Sequence, residues 1–182
     1  MVIQTRLTYA DFEAFITLPE NRERRFELID GEIIEKMPTL EHGIITINIA
    51  SEIKVYLKQN PIGRVATEVR HKLPDDDAHA YLPDISVMLD LTRPVIREGA
   101  APYMPDFAIE VKSPDDSLKA LREKARYYLA HGCKLIWLVI PEHQLVEVYT
   151  LEAETIVTLG QTLDGGDLLP SFTLAVDSIF DL

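Results

Sequence analysis

The chain has 182 residues, of which 47% are hydrophobic, so it can bury a sizeable core, which excludes global disorder. Its formal net charge of −12 argues against a simple basic nucleic-acid-binding protein, and the single cysteine, Cys133, excludes an internal disulfide. No apolar run reaches the roughly 18 residues of a membrane span, and the stretch from Met1 to Arg6 lacks a signal-peptide core. We therefore expect a cytoplasmic protein with a single domain over residues 1–182.

Two local signals mark elements near the N-terminus. Thr8 followed by Asp11 is typical of a helix N-cap, and it predicts a short helix that reaches about Leu18. Asp30 and Gly31 separate two short strand-like segments, and an Asp-Gly pair readily adopts the positive φ angles of a two-residue turn. This part of the chain is therefore predicted to form a helix followed by a β-hairpin.

The remaining chain alternates helical and strand-like patterns. Residues 40–59 carry apolar side chains at helical spacing, and Pro61 and Gly63 end this helix. The element order α, ββ, α, βββ, α, βββ predicts an α/β protein with a mixed sheet flanked by helices, an N-terminal β-hairpin and C-terminal antiparallel strands. The later predicted elements are strands at 64–71, 83–89 and 106–112, a helix opened by 113–117 and reaching about 131, and strands at 135–140, 145–150 and 155–159.

Three residues suggest a metal site on two of these strands. Side chains alternate along a strand, so Glu110 and Lys112 share one face, about 7 Å apart. Asp84 opens another strand, and it can meet Glu110 if the two strands pair. Two close carboxylates repel unless a cation or proton lies between them, and Mg²⁺ or Mn²⁺ binds such oxygens. Lys112 would then stabilise the charge that develops at a phosphate, or orient the attacking water.

Each of these residues also has a structural interpretation. Asp84 can be a strand-start or turn aspartate, and Lys112 can simply neutralise Glu110 as an ion pair. Glu110 can be a solvent-facing strand residue, although its place in an otherwise apolar strand favours a buried carboxylate that needs a partner.

Four further residues are candidates for the same site. Hairpin pairing places Glu27 and Glu32 on one face. Either one of them completes a metal shell or positions water, or the face is simply exposed to solvent. Glu27 is the favoured candidate because it lies further from the turn. His42 lies on an apolar helix stripe, which favours a core-edge histidine over a phosphate contact. Lys124 flanks the buried stripe of its helix and either reaches the site as a second cation or snorkels to solvent.

The spacing of these residues resembles a known nuclease pattern. Pro83-Asp84 followed by Glu110-Val111-Lys112 resembles the PD-(D/E)XK pattern. The resemblance to the Uma2 family (DUF820) extends over nearly the whole chain and is carried by Phe26–Glu32, His42, Ile109–Asp115, Lys124 with Tyr128, and the segment from Gly132 through Trp137 to Pro141. It implies a restriction-endonuclease-like fold, a divalent metal, DNA cleavage and association as a homodimer. Many members carry an apolar residue where this chain has Lys112.

Different classes of function follow from these observations. The first is a Mg²⁺- or Mn²⁺-dependent endonuclease that hydrolyses phosphodiester bonds of DNA, without membrane association. The second is a catalytically inactive binding or scaffold protein that keeps the nuclease fold, which the charge of −12 favours because unaided DNA binding would be weak. Hydrolysis of another phosphate ester is a third possibility.

Overall fold

The computed structural model describes residues 6–182, and residues 1–5, most of the stretch that lacks a signal-peptide core, lie outside the described residues. In the described part, no helix combines the length and apolarity needed to cross a bilayer. The chain divides into two compact units. The smaller unit comprises Met1–Met37, Val69–Leu82 and Ile96–Met104, and the larger comprises Pro38–Glu68, Pro83–Val95 and Pro105–Leu182.

The smaller unit begins with the predicted helix, α1 (Tyr9–Ile16). Thr8 accepts a hydrogen bond from the backbone of Asp11, whose side chain bonds back to Thr8, so the capping box forms. The helix ends earlier than predicted because Pro19 disfavours the helical region for the residue before it, and Leu18 is extended at φ −57° and ψ 140°.

The predicted hairpin follows α1 and is confirmed. Strands β1 (Arg25–Ile29) and β2 (Glu32–Lys36) pair antiparallel, with Ile29 opposite Glu32. Asp30 and Gly31 take φ values of 52° and 75°, as a two-residue turn requires. One buried apolar cluster joins the hairpin to the rest of this unit, and its members are Phe12, Phe26, Leu28 and Ala80.

The buried His71 makes the stability of the smaller unit dependent on pH. Burial lowers the pKa of His71 from 6.5 to about 4, although its hydrogen bond to the carbonyl oxygen of Tyr103 works in the opposite direction. The unfolded chain therefore binds a proton that the folded chain excludes, and stability decreases as the pH falls from about 6.5 towards 4. The loss contributed by this residue reaches about 3 kcal/mol.

Urea unfolding at several pH values checks this prediction, with His71→Gln as the matched variant that does not titrate. The wild-type free energy of unfolding should fall more steeply than that of the variant between pH 6.5 and 4. Parallel pH profiles for the two proteins would contradict a buried neutral histidine.

The larger unit carries most of the secondary structure. Its helix α2 has the predicted bounds, since Thr39 caps the first turn by accepting a hydrogen bond from the backbone of His42. In chain order its elements are α2 (Leu40–Gln59), β3 (Arg64–Thr67), β4 (Ile85–Met88), β5 (Phe107–Val111), α3 (Leu118–Ala130), β6 (Leu135–Ile140), β7 (Leu145–Tyr149), β8 (Glu154–Thr158), β9 (Thr162–Gly165), β10 (Leu169–Ala175) and α4 (Val176–Ile179).

A six-stranded mixed sheet in the order β3-β4-β5-β6-β7-β8 forms the centre of this unit. Only β5 and β6 are parallel among these neighbours, because α3 connects them as a crossover. Ile85, Ile109 and Trp137 pack in one core with Ile45 and the rest of the apolar stripe of α2. The mixed α/β architecture with flanking helices, an N-terminal hairpin and C-terminal antiparallel strands is thus confirmed.

Two local differences from the predicted elements have physical causes. Strand β3 ends at Thr67, well before residue 71, because Glu68 adopts a left-handed φ of 52° that breaks the extended run. The hairpin β9-β10 and the helix α4 were absent from the predicted elements. The pairing of β9 with β10 is interrupted by a bulge between Leu169 and Thr173, which disrupts the side-chain alternation that signals a strand.

Candidate active site

The sheet of the larger unit brings Asp84 and Glu110 together. Strands β4 and β5 pair antiparallel with Ile85 opposite Ile109, and one further step in this register sets Asp84 against Glu110. Residues directly opposite in such a pair have Cα atoms about 4.5–5.5 Å apart. Both side chains are buried, with exposed fractions of 4% for Asp84 and 3% for Glu110. Two buried acidic residues are therefore neighbours in the backbone register at one end of β4 and β5.

Hydrogen bonds from two other elements orient the Asp84 carboxylate. Its Oδ2 accepts the backbone N–H of Val111 at 2.7 Å and lies 3.1 Å from Nε2 of His42. His42 stands in the first turn of α2, where the helix dipole also favours a negative charge. His42 is thus buried at the edge of the core, and its ring contacts the carboxylate of a predicted metal ligand.

Helix α3 supplies the partners of Glu110. Its Oε1 lies 2.9 Å from Nζ of Lys124 and accepts the hydroxyl of Tyr128 at 2.8 Å. Lys124 is itself only 4% exposed, so it does not snorkel to solvent. A buried carboxylate needs such compensation, and the lysine that provides it comes from the helix.

Lys112 has a different partner from the one expected. Its Nζ lies 2.8 Å from Oε1 of Glu142, in the turn that follows β6, and it also donates to the carbonyl oxygen of Ser113. Burial raises the pKa of Glu142, but the hydrogen bond from Lys112, a backbone hydrogen bond and the nearby positive charges together outweigh it, so this pKa lies below its ordinary value. The structural alternative in which Lys112 neutralises Glu110 is thus replaced by an ion pair with Glu142.

The two hairpin glutamates belong to the smaller unit and differ from each other. Glu27 is buried, and its Oε1 accepts the backbone N–H of Leu82. Glu32 is exposed beside the turn. The solvated interpretation therefore fits Glu32 but not Glu27, whose carboxylate holds a neighbouring segment of its own unit.

The donor set of Asp84 and Glu110 suits a hard cation. Mg²⁺ is often held in proteins by one or two carboxylates, with waters and substrate phosphate completing its octahedral shell. Among residues 6–182, no group of three or more His, Cys, Asp or Glu side chains is arranged to hold a metal. This composition fits Mg²⁺ or Mn²⁺ with retained waters better than zinc, which takes at least three protein ligands.

Sequence reasoning missed two partners of these side chains. Tyr128 is not predicted as a partner of Glu110, although its position four residues after Lys124 places both on one helix face. Glu142 follows β6, and parallel strands end at the same edge of a sheet, so the residues after β5 and β6 are neighbours. The second signal becomes useful only once the parallel pairing is known.

A mixed sheet covered by helices, with two carboxylates and two lysines at one end of its central strands, defines the restriction-endonuclease-like class of α/β proteins. The comparison with family models identifies one family within that class. The model of Uma2, described as a putative restriction endonuclease, matches residues 12–177, and the chain belongs to this family.

A solved structure agrees with this assignment. The chain resembles the crystal structure of a putative nuclease of DUF820 from Anabaena variabilis, with 28% sequence identity and a TM-score of 0.80. The match covers 96% of this chain and 97% of that chain. No curated protein matches the chain.

Proposed function

We propose that the protein is a divalent-metal-dependent endonuclease that hydrolyses phosphodiester bonds of DNA. The observation that carries the proposal is a pair of buried carboxylates, Asp84 directly before β4 and Glu110 on the adjacent β5, which the strand register makes neighbours, with Lys124 against Glu110. Membership of a family described as a putative restriction endonuclease supports the same activity.

In this proposal, Asp84 and Glu110 hold Mg²⁺ or Mn²⁺. The backbone of Val111 and the ring of His42 orient Asp84, while Lys124 and Tyr128 orient Glu110. When bound, the cation would neutralise phosphate charge and lower the pKa of an attacking water.

The two lysines have separate roles in this scheme. Lys124 is the cation that contacts Glu110, and it stabilises negative charge developing next to that carboxylate. Lys112 is held by the partly exposed Glu142, and a phosphate oxygen that approaches it competes for the same ammonium group. Glu27, also a predicted site residue, acts in the smaller unit, where it fixes the backbone at Leu82.

A cleavage assay tests this function directly. Purified protein is incubated with supercoiled plasmid, single-stranded DNA and RNA in Mg²⁺, Mn²⁺ or EDTA. We expect nicked or linear plasmid with either metal and intact plasmid in EDTA. Cleavage that continues in EDTA would contradict metal dependence, and cleavage confined to RNA would contradict the proposed substrate.

The formal charge of −12 supports a second candidate, a nuclease-fold scaffold without activity. Calorimetry separates the two, because a scaffold should show no carboxylate-dependent Mn²⁺ site at millimolar metal. Association as a homodimer, which the family resemblance implies, stays a prediction that light scattering can test.

A further inference from the structure

A cavity of about 270 Å³ opens beside Asp84 in the larger unit. The start of α2 forms one wall, with Gly43 and Ile47, and the end of β3 forms another, with Thr67 and Glu68. Asp84 belongs to the lining as well, so the cavity and the proposed metal site share a side chain. Whatever fills the cavity therefore lies next to the bond that the proposed nuclease would cleave.

The chemistry of the lining favours a neutral group over a phosphate. Two carboxylates, Glu68 and Asp84, line the cavity together with His42, whose ring contacts Asp84, while no lysine or arginine among the described residues lines it. Phosphate oxygens would be repelled there, whereas hydroxyl or amino groups could donate to the carboxylates. Pro38 and Ile47 add apolar surface, and Ile47 is 60% exposed. The lining suits a group with one apolar face and several donors.

Gly43 shows that the space is open at the helix itself. A Cβ atom built on Gly43 would meet nothing within 4 Å, so the fold has room for a side chain there. Glycine is, after proline, the least favourable residue inside a helix, and alanine would strengthen α2 at this position. No contact of the described chain requires the glycine, but a ligand that approaches the helix backbone would.

We propose that this cavity receives the sugar and base of the nucleotide next to the scissile phosphate, and that Gly43 keeps it open. The identity of the ligand rests on the proposed nuclease function. The volume lies just below the usual range of ligand pockets, which begins at about 300 Å³, so it suits one nucleoside unit and not a longer piece of strand. Because these contacts are not ionic, they also provide DNA affinity that the acidic chain lacks.

Two matched pairs of variants test the proposal. Gly43→Leu fills the cavity, and Ser51→Leu places a leucine at an exposed position of α2 outside the lining. Ile47→Glu adds a charge to the lining, and Val55→Glu adds the same charge to a half-exposed position of that helix. The second pair adds no bulk next to the backbone, so it keeps the test decisive if Gly43→Leu folds poorly.

The readout is the dissociation constant for a labelled single-stranded DNA oligonucleotide, measured by fluorescence anisotropy in Ca²⁺ buffer. We expect Gly43→Leu and Ile47→Glu to raise it about tenfold or more, which corresponds to about 1.4 kcal/mol, and their controls to change it less than twofold. Calorimetric Mn²⁺ affinity should be the same for both leucine variants. Equal DNA affinities within each pair, or no DNA binding by the wild-type protein, would overturn the inference.

Failure of the proposed nuclease function would give different results from failure of the nucleoside site. Absence of cleavage in every metal, together with absence of a Mn²⁺ site, would reject the nuclease while leaving the affinity differences in place. Normal cleavage with an unchanged KM in Gly43→Leu would instead reject the cavity as a nucleoside site and leave the nuclease standing.

Discussion

Asp84→Asn and Glu110→Gln should each lower the rate of DNA cleavage about a thousandfold or more, because each removes a charged ligand of the proposed cation. Both replacements keep the size of the side chain. The amide oxygen of each variant can still accept the hydrogen bonds that orient the native group, from Val111 and His42 in one case and from Lys124 and Tyr128 in the other. A loss of activity would therefore report the missing charge.

Single-turnover cleavage rates and calorimetric Mn²⁺ titrations should be measured on the same samples. Both variants should lose the Mn²⁺ heat together with activity. Glu52→Gln is the matched control, since it removes one acidic charge from an exposed position on α2. Activity and metal binding retained in Asp84→Asn would remove this residue from the mechanism.

Lys124→Met should lower the free energy of unfolding by about 3–5 kcal/mol in EDTA, because it leaves the buried Glu110 carboxylate without its cation. Methionine keeps much of the apolar stem, so lost packing contributes little. Added Mn²⁺ should stabilise this variant more than the wild-type protein, since the ion then supplies the missing positive charge at Glu110.

Lys112→Met is the matched comparison for this experiment. The side chain of its partner Glu142 is 43% exposed and remains hydrated when the lysine is removed, so the loss should be only about 1 kcal/mol. Urea unfolding compares the two lysine variants, and the further variants Glu110→Gln and Lys124→Met/Glu110→Gln complete the cycle that gives the coupling energy of Lys124 with Glu110. Equal losses for the two lysine variants would contradict the assignment of Lys124 as the cation that compensates Glu110.

Local signals account for the parts of the fold that the sequence predicts well. The Asp30-Gly31 turn determines the hairpin register through backbone angles that few other residue pairs adopt, and α2 has a cap, an apolar stripe and a clear end. These signals act over a few residues, so they do not depend on the rest of the chain. Strand ends are less predictable. The residues adjacent to Glu68 in the sequence do not indicate the positive φ that ends β3.

The candidate site, like the fold, is predicted from the sequence only where local signals are enough. Alternation and apolar context single out Glu110, and the position of Asp84 before β4 makes it a candidate, but neither reveals which lysine serves which carboxylate. That assignment depends on how α3 packs over β5 and on the parallel pairing that places Glu142 beside Lys112. Contacts between residues distant in sequence, such as that of Lys124 with Glu110, are therefore visible only in the folded protein.

The division into two units has a consequence for engineering a shortened form of this protein. The backbone passes from one unit to the other five times, so the larger unit is not a continuous module and trimming an end cannot isolate it. A shortened gene would need internal excisions at Val69–Leu82 and Ile96–Met104, with the first splice directly before Pro83 and hence one residue from Asp84. Insertions should accordingly be tolerated best in exposed loops far from these junctions in the sequence, such as the loop at Gly166.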